Sequence, residues 1–320
     1  MVINPDALAA VLDRDSRWQA GSLIKVWFID GDQQDHQLVK TTAREWTRYA
    51  NIEFQFFSNQ PDSSHLRISF AHYDGSMLGR QPLSKDRNPN VYLASITHPS
   101  IELTKKKRIV LHEFGHILGF EHEFLHPEWP FGNAWLEHQQ ENCKFRLESQ
   151  NTNGKPELCE QLNMPLTKAS IVAFPFDRLS IMQYPVPAKW LDGSFEPIPD
   201  NRQLSSLDKM AAAISYPETQ PANKGFRFIN RCLEPVTVSY DIANDVSRSG
   251  IGAQIKRITL KPMESSHWYQ TNISVDLSLR AVSHSGSYHW RSDSEPNRYL
   301  TVPKTSWSSG TLEIPLFCSY

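Results

Sequence analysis

HEFGHILGFEH, residues His112 to His122, sets three histidines, two glutamates and two glycines into a segment that is otherwise apolar. In a helix, residues four apart share a face, so His112 and His116 project side by side and can hold one cation between them. Glu113 is one step along and points off to the side, where it can reach a water on the metal without being a ligand. Gly119 stands where the chain must leave the helix sharply if His122 is to return as a third ligand. Glycine enters the left-handed region that such a bend requires without strain. Three neutral imidazoles leave one position of a four-coordinate zinc open to water, the arrangement of a catalytic rather than a structural site. That water becomes a nucleophile near neutral pH. The competing reading, a buried helix with polar histidines, needs a separate partner for each imidazole.

The chain has 320 residues, enough for two domains or for one large domain with an addition. A hydrophobic share of 39% against 21% charged residues describes a folded globular protein. The net charge of -2 supplies no broad field for gathering phosphates, which argues against nucleic acid as a partner. Lys105 to Arg108 reads as the solvated side of a helix. No apolar run has the length of a membrane span. The opening residues, MVINPDALAAVLDRDS, lack the pattern of a secretory signal. This leaves a cytoplasmic protein, one exported or injected by another route, or a trimmed secreted chain. Cys143, Cys159, Cys232 and Cys318 show no Cys-x-x-Cys spacing. Pairs 143 with 159 and 232 with 318 are one reading, and four buried thiols the other.

SLIKVWFID (22–30), IEFQFFS (52–58), LRISFAHY (66–73) and VYLASI (91–96) read as strands, with a turn at Asp74-Gly75. Residues 38–50 read as an amphipathic helix, and a helical pattern from Leu103 runs into the histidine motif. A further helix is expected around 134–148. SSLDKMAAAISYP (205–217) carries its own start and stop: Ser205 can cap, Asp208 sits three later and Pro217 ends it. ETQPANKG (218–225) has the composition of a linker. Beyond it, FRFIN, PVTVSYDI, QIKRITL, VDLSLRAV, RYLTV and TLEIPLF read as an all-β module of sandwich type over 226–320. The domains are therefore 1–217, with 1–17 as an N-terminal extension, and 226–320. Trp268, Trp290 and Trp307 form either a ligand face of the module or its core. The histidines at 36, 65, 72, 98, 138, 267, 284 and 289 have no ligand spacing and read as surface or packing residues.

His112-Glu113-x-x-His116-x-x-Gly119-x-x-His122 resembles the signature of the metzincin clan of zinc peptidases. SIMQY (180–184) resembles that clan's methionine turn, with Met182 beneath the zinc; by itself Met182 reads as core packing. GFEHEFLHP (119–127) and DRLSIMQY are similar to the astacin branch and its bacterial relatives, over roughly residues 18–217. The resemblance implies an α+β catalytic domain with a twisted mixed sheet, a zinc helix, a Met-turn and a closing helix. It implies one catalytic Zn2+ on His112, His116 and His122, Glu113 as general base, and Tyr184 as a group that stabilises the tetrahedral intermediate. It also implies a protein or peptide substrate laid against an edge strand, for which 66–76 is the candidate, with an internal strand as the alternative. Gln183 and His126 depart from the branch, which usually has histidine and, in animal members, arginine there. In animal members the glutamate at the position of Glu123 binds a processed N-terminus. No cysteine precedes the motif and no Phe-x-Gly-Asp latency pattern is present.

Three functions follow: a zinc endopeptidase whose C-terminal module targets it or frames its substrate, a zinc amidase or peptidase narrowed to one target as a toxin or effector, or a binding protein on a peptidase fold. The residues leave cleavage specificity, target, latency and oligomeric state open.

Overall fold

Short apolar runs in the first hundred residues are joined by turns and one crossover helix, and they assemble into a single sheet. The computed structural model describes residues 12–13, 16–126, 129, 141, 171–172, 176–190, 196–217, 225–243, 255–269, 276–290, 300–302 and 311–318. In chain order these residues give β1 (Leu12–Asp13), β2 (Ser22–Phe28), α1 (Gln33–Ala43), β3 (Ile52–Phe57), β4 (Leu66–Ser69), β5 (Asp74–Ser76), β6 (Val91–Leu93), α2 (Leu103–Ile117), β7 (Ile171–Val172) and α3 (Ser206–Ser215). Strands β2 to β6 lie in the order β3-β2-β4-β6-β5. The first four are mutually parallel, and β5 runs antiparallel at the edge beside β6. Helices α1 and α2 pack against each other. The core between sheet and helix is built from Ile24, Val26, Leu66, Ile68 and Val91 with Val110, Phe114 and Ile117, all buried. Phe114 meets Phe54 edge-on at 5.1 Å, a favourable aromatic geometry.

Three expectations shift. The helix expected over 38–50 begins earlier, because the Asp32 side chain accepts the N–H groups of Gln34 and Asp35 and so caps α1 at its true start. The helix ends at Ala43, and a 3-10 turn over Trp46–Arg48 continues the periodicity while aiming the buried Trp46 indole at α2. The stretch 66–76 divides: Leu66–Ser69 is a wholly buried internal strand, and the edge belongs to Asp74–Ser76, where a turn was expected. The reversal between them uses His72, whose φ of 74° lies in the left-handed region, and β6 inserts between the two strands.

The start of the chain is tied in as well. β1 pairs antiparallel with β7, and Ser16 O accepts the Arg80 N–H. The basic run lies on α2, where Arg108 pairs with Asp200 at 2.9 Å. No helix among the described residues is long and apolar enough to cross a membrane.

Beyond residue 225 the alternating runs form strands as expected: β8 (Gly225–Asn230), β9 (Val236–Ala243), β10 (Lys256–Leu260), β11 (Asp276–Ser283), β12 (His289–Trp290), β13 (Leu300–Val302) and β14 (Thr311–Leu316). β9 to β13 make an antiparallel sheet in the order β10-β9-β11-β12, with β13 also on β11. β8 and β14 form a parallel pair, and Cys232 and Cys318, just past their ends, are joined in a disulfide. Gly225, the last residue of the expected linker, is already the first of β8. α3 packs on β14, and Phe317 meets Tyr49 edge-on at 4.7 Å. Trp290 is core, whereas Trp268 is half-buried under the Arg227 guanidinium, 4.9 Å from its ring. His65 accepts the Lys25 N–H and His36 stacks on Phe28, so both pack rather than ligate. The helix expected over 134–148, Cys143, Cys159, His138, Trp307 and residues 218–224 lie outside the described residues, save for Glu141 alone.

The Cys232–Cys318 bridge closes a sequence separation of 86 residues, so it restricts the unfolded chain considerably. Replacing Cys318 with serine is expected to lower the module's stability by roughly 2–5 kcal/mol, read as a lower denaturant midpoint, with reductant producing the same shift in the parent and none in the variant.

Candidate active site

α2 supplies the first two imidazoles on one face, both buried. The helix stops at Ile117, and Gly119, with φ at 91°, makes the left-handed turn that the spacing demanded. Its N–H returns to His116 O at 2.7 Å, and His122 swings back over the helix end. His122 Nε2 lies 3.3 Å from His112 Nε2 and 3.1 Å from His116 Nε2. The ligand atoms of His112, His116 and His122 all fall within 4.8 Å of one another, the one such cluster among the described residues.

The outer nitrogens decide the tautomers. His112 Nδ1 faces Ile181 O at 2.9 Å and His116 Nδ1 faces Phe120 O at 2.7 Å. A carbonyl can only accept, so each Nδ1 must carry the proton, and each Nε2 turns a lone pair inward. His122 Nε2 has at most one proton to share with two such lone pairs. Three nitrogens that cannot satisfy one another are the donor set of a tetrahedral zinc with one open position. Burial holds all three rings neutral: the His116 pKa falls to about 4, and those of His112 and His122 fall well below the ordinary imidazole value. The neutral form is the one that ligates.

The second expected element, residues 180–184, lies directly beneath. Met182 is buried against α2 at Gly115, where a Cβ would meet Met182 Sδ at 2.3 Å. Met182 thus serves as both core and floor of the site. Tyr184 is half-buried, its ring centred 4.7 Å from that of His122 and 5.4 Å from that of His112. The turn is held from α3. Asp208 closes the capping box with Ser205, and the same carboxylate accepts Ser180 Oγ at 2.7 Å and the Ile181 N–H at 2.8 Å. Since Ile181 O orients His112, the helix cap reaches the first ligand through one residue, Ile181. Glu123 is buried and accepts the Asp177 N–H at 2.7 Å. Gln183 is buried and donates to Tyr184 O.

A helix C-terminus leaves carbonyls without partners. Here Trp46 Nε1 donates to Leu111 O at 2.9 Å, Trp18 Nε1 to Ile117 O at 2.7 Å, the Gly79 N–H to His116 O at 2.8 Å, and the Tyr216 hydroxyl to Leu118 O. Donors from four distant segments therefore fasten the ligand-bearing end of α2. Glu113 is buried beside the cluster, with Ser76 Oγ 2.8 Å from its Oε2. Burial raises the Glu113 pKa to about 7, and the Ser76 hydrogen bond opposes the rise.

All seven expected site residues, His112, Glu113, His116, Gly119, His122, Met182 and Tyr184, come together. Sequence reasoning missed Ser76, Gly115, Trp18, Tyr216 and the second role of Asp208. Only Gly115 left a signal: glycine inside a helix costs about 1 kcal/mol relative to alanine and so points to a close approach.

Residues 10–189 match the family profile of Astacin, a peptidase family. The chain is 26% identical over 172 residues to the zinc metalloproteinase dpy-31 of Caenorhabditis elegans, a match covering 52% of this chain. The matched stretch spans only 25% of that relative's length. Among solved structures, myroilysin superposes with a TM-score of 0.52 at 27% identity, covering 65% of this chain and 99% of that one.

Gly115→Ala is expected to cost roughly 1–3 kcal/mol by driving a methyl group into Met182, measured as a lower thermal midpoint. In the metal-free protein, the three depressed imidazoles bind fewer protons folded than unfolded. Their contribution to stability is therefore present above the unfolded value of about 6.5 and is lost as pH falls toward 4. Glu113, raised to about 7, acts in the opposite sense and is outnumbered. Thermal midpoints of the metal-free protein should drop between pH 7 and pH 5.

Proposed function

We infer the reaction from one premise: the chain belongs to the astacin family of peptidases, whose profile it matches over more than half its length. Its proposed activity is zinc-dependent hydrolysis of internal peptide bonds in a protein or peptide substrate. The observation that carries this reading is the convergence of three Nε2 atoms, two with lone pairs turned inward from buried rings and the third from the half-buried His122, next to a buried carboxylate. His112, His116 and His122 would hold the zinc. When bound, zinc supplies Lewis acidity, which acidifies water and polarises a carbonyl oxygen.

The remaining work belongs to the chain. Glu113 accepts the proton of the attacking water and delivers it to the departing amide nitrogen. A carboxyl group poised near neutrality by burial can do both. Tyr184, stacked beside the ligands, donates its phenolic hydrogen bond to the oxyanion that develops as water adds. β5 presents the sheet edge next to α2, and an extended substrate gains main-chain hydrogen bonds by pairing with it. Residues 1–217 form the catalytic unit in this reading. Residues 226–320 form an accessory module that recognises the target, supported by its separate antiparallel sheet and its seat on α3.

Incubation of the zinc-loaded protein with unfolded protein substrates, followed by terminal sequencing of the products, tests the reading. Cleavage at internal bonds is expected, and an intact substrate at full zinc occupancy would overturn it. Glu113→Gln should lower turnover by roughly 10²–10⁴-fold with zinc retained. Tyr184→Phe should lower it about 10²-fold, also with zinc retained. His122→Ala should release the metal, as read by elemental analysis.

A further inference from the structure

Ser76 lies on the edge strand β5, while Glu113 lies on α2, 37 positions away in sequence. The serine hydroxyl sits 2.8 Å from Glu113 Oε2 and 3.0 Å from Glu113 O; its single proton points to the nearer carboxylate oxygen or is shared with the main-chain oxygen of the same residue. Among the described residues it is the one hydrogen-bond donor to that carboxylate. A glutamate side chain has three rotatable bonds, and a buried carboxylate with nothing to accept from would turn toward whatever solvent it could reach.

We propose that Ser76 is the positioning residue of the general base: its hydroxyl fixes Glu113 in one rotamer and occupies Oε2, leaving Oε1 as the oxygen that exchanges the proton. This rests on the hydrolase reading given above. Two features of the geometry carry it beyond ordinary packing. The hydroxyl contacts Glu113 twice, so its own rotamer is set by the residue that it holds. It also comes from the edge strand packed beside α2 rather than from α2 itself, so the carboxylate is registered to the sheet edge along which substrate would lie. A shift of β5 relative to α2 is thereby passed to the base, whereas a hydrogen bond made within α2 could not pass it on.

The bond acts on a charged acceptor in a buried site, where a single hydrogen bond is worth more than at the surface. Ser76→Ala in the zinc-loaded full chain should lower kcat about 10- to 100-fold. KM should stay within twofold, with zinc content unchanged. Ser76→Thr keeps the oxygen and suits a strand, and it should restore most of the loss. Crystal structures of Ser76→Ala should show the Glu113 carboxylate in more than one rotamer. In a Glu113→Asp background, where the shorter side chain retracts from Ser76, adding Ser76→Ala should cost nothing further.

The proposal is overturned if kcat is unchanged in folded Ser76→Ala, if the loss appears in KM alone or together with lost zinc, if folded Ser76→Thr fails to recover activity, or if Glu113 keeps its single rotamer without the hydroxyl. An inactive parent protein would overturn the hydrolase reading itself, and the rotamer comparison would still decide the placement of Glu113.

Discussion

Three imidazole nitrogens held 3.1 to 3.3 Å apart along the His112–His122–His116 chain cannot all be satisfied by one another, and most of the fold from Trp18 to Tyr216 answers to that constraint. Two of the rings are fixed by carbonyls behind them, one from the turn over 180–184 and one from the bend after α2. Rotating either ring would cost a hydrogen bond in a buried setting, where an unpaired polar group is expensive. The lone pairs therefore stay aimed at one point, and the site is prepared before any metal arrives.

That preparation draws on the chain from Trp18 to Tyr216. The end of α2 takes donors from Trp18, Trp46, Gly79 and Tyr216. Those from Trp18 and Tyr216 satisfy carbonyls that a helix end would otherwise leave to water, while those from Trp46 and Gly79 add a second donor to carbonyls already engaged. Asp208 couples two tasks in one carboxylate, stopping the unravelling of α3 and anchoring Ser180 and Ile181 above it. Burial raises the pKa of Asp208, and the hydrogen bonds that its carboxylate accepts from Ser180, Ile181 and Ser205 pull the other way. The C-terminal strands rest on the same helix through β14, so they and the turn under His112 share α3 as a common support.

The sheet contributes through its edge. β6 separates β4 from β5, which leaves β4 fully buried and turns β5 outward next to α2. Ser76 on β5 then meets Glu113, and Gly75 gives room for the ring of Tyr73, which folds back across the strand. A short edge strand thus carries both the line along which a peptide can pair and the hydroxyl that holds the base.

The residues 112–122 by themselves determined the ligand set, the place of Glu113 and the left-handed turn at Gly119, because helical periodicity and the steric freedom of glycine act over a few residues. The same locality made the capping box of α3 and most strands legible, and it set the limits of α1 wrongly because the Asp32 cap outweighed the apolar spacing farther along. Folding alone decided that β5 rather than Leu66–Ser69 is the edge, that Met182 packs on Gly115, that Asp208 serves the turn as well as the helix, and that Ser76 touches Glu113. The last three of these join residues from 27 to 67 positions apart. Hydrogen bonds and packing at that separation leave no periodic trace along the chain, since they depend on how the sheet order and helix crossings bring distant backbone together.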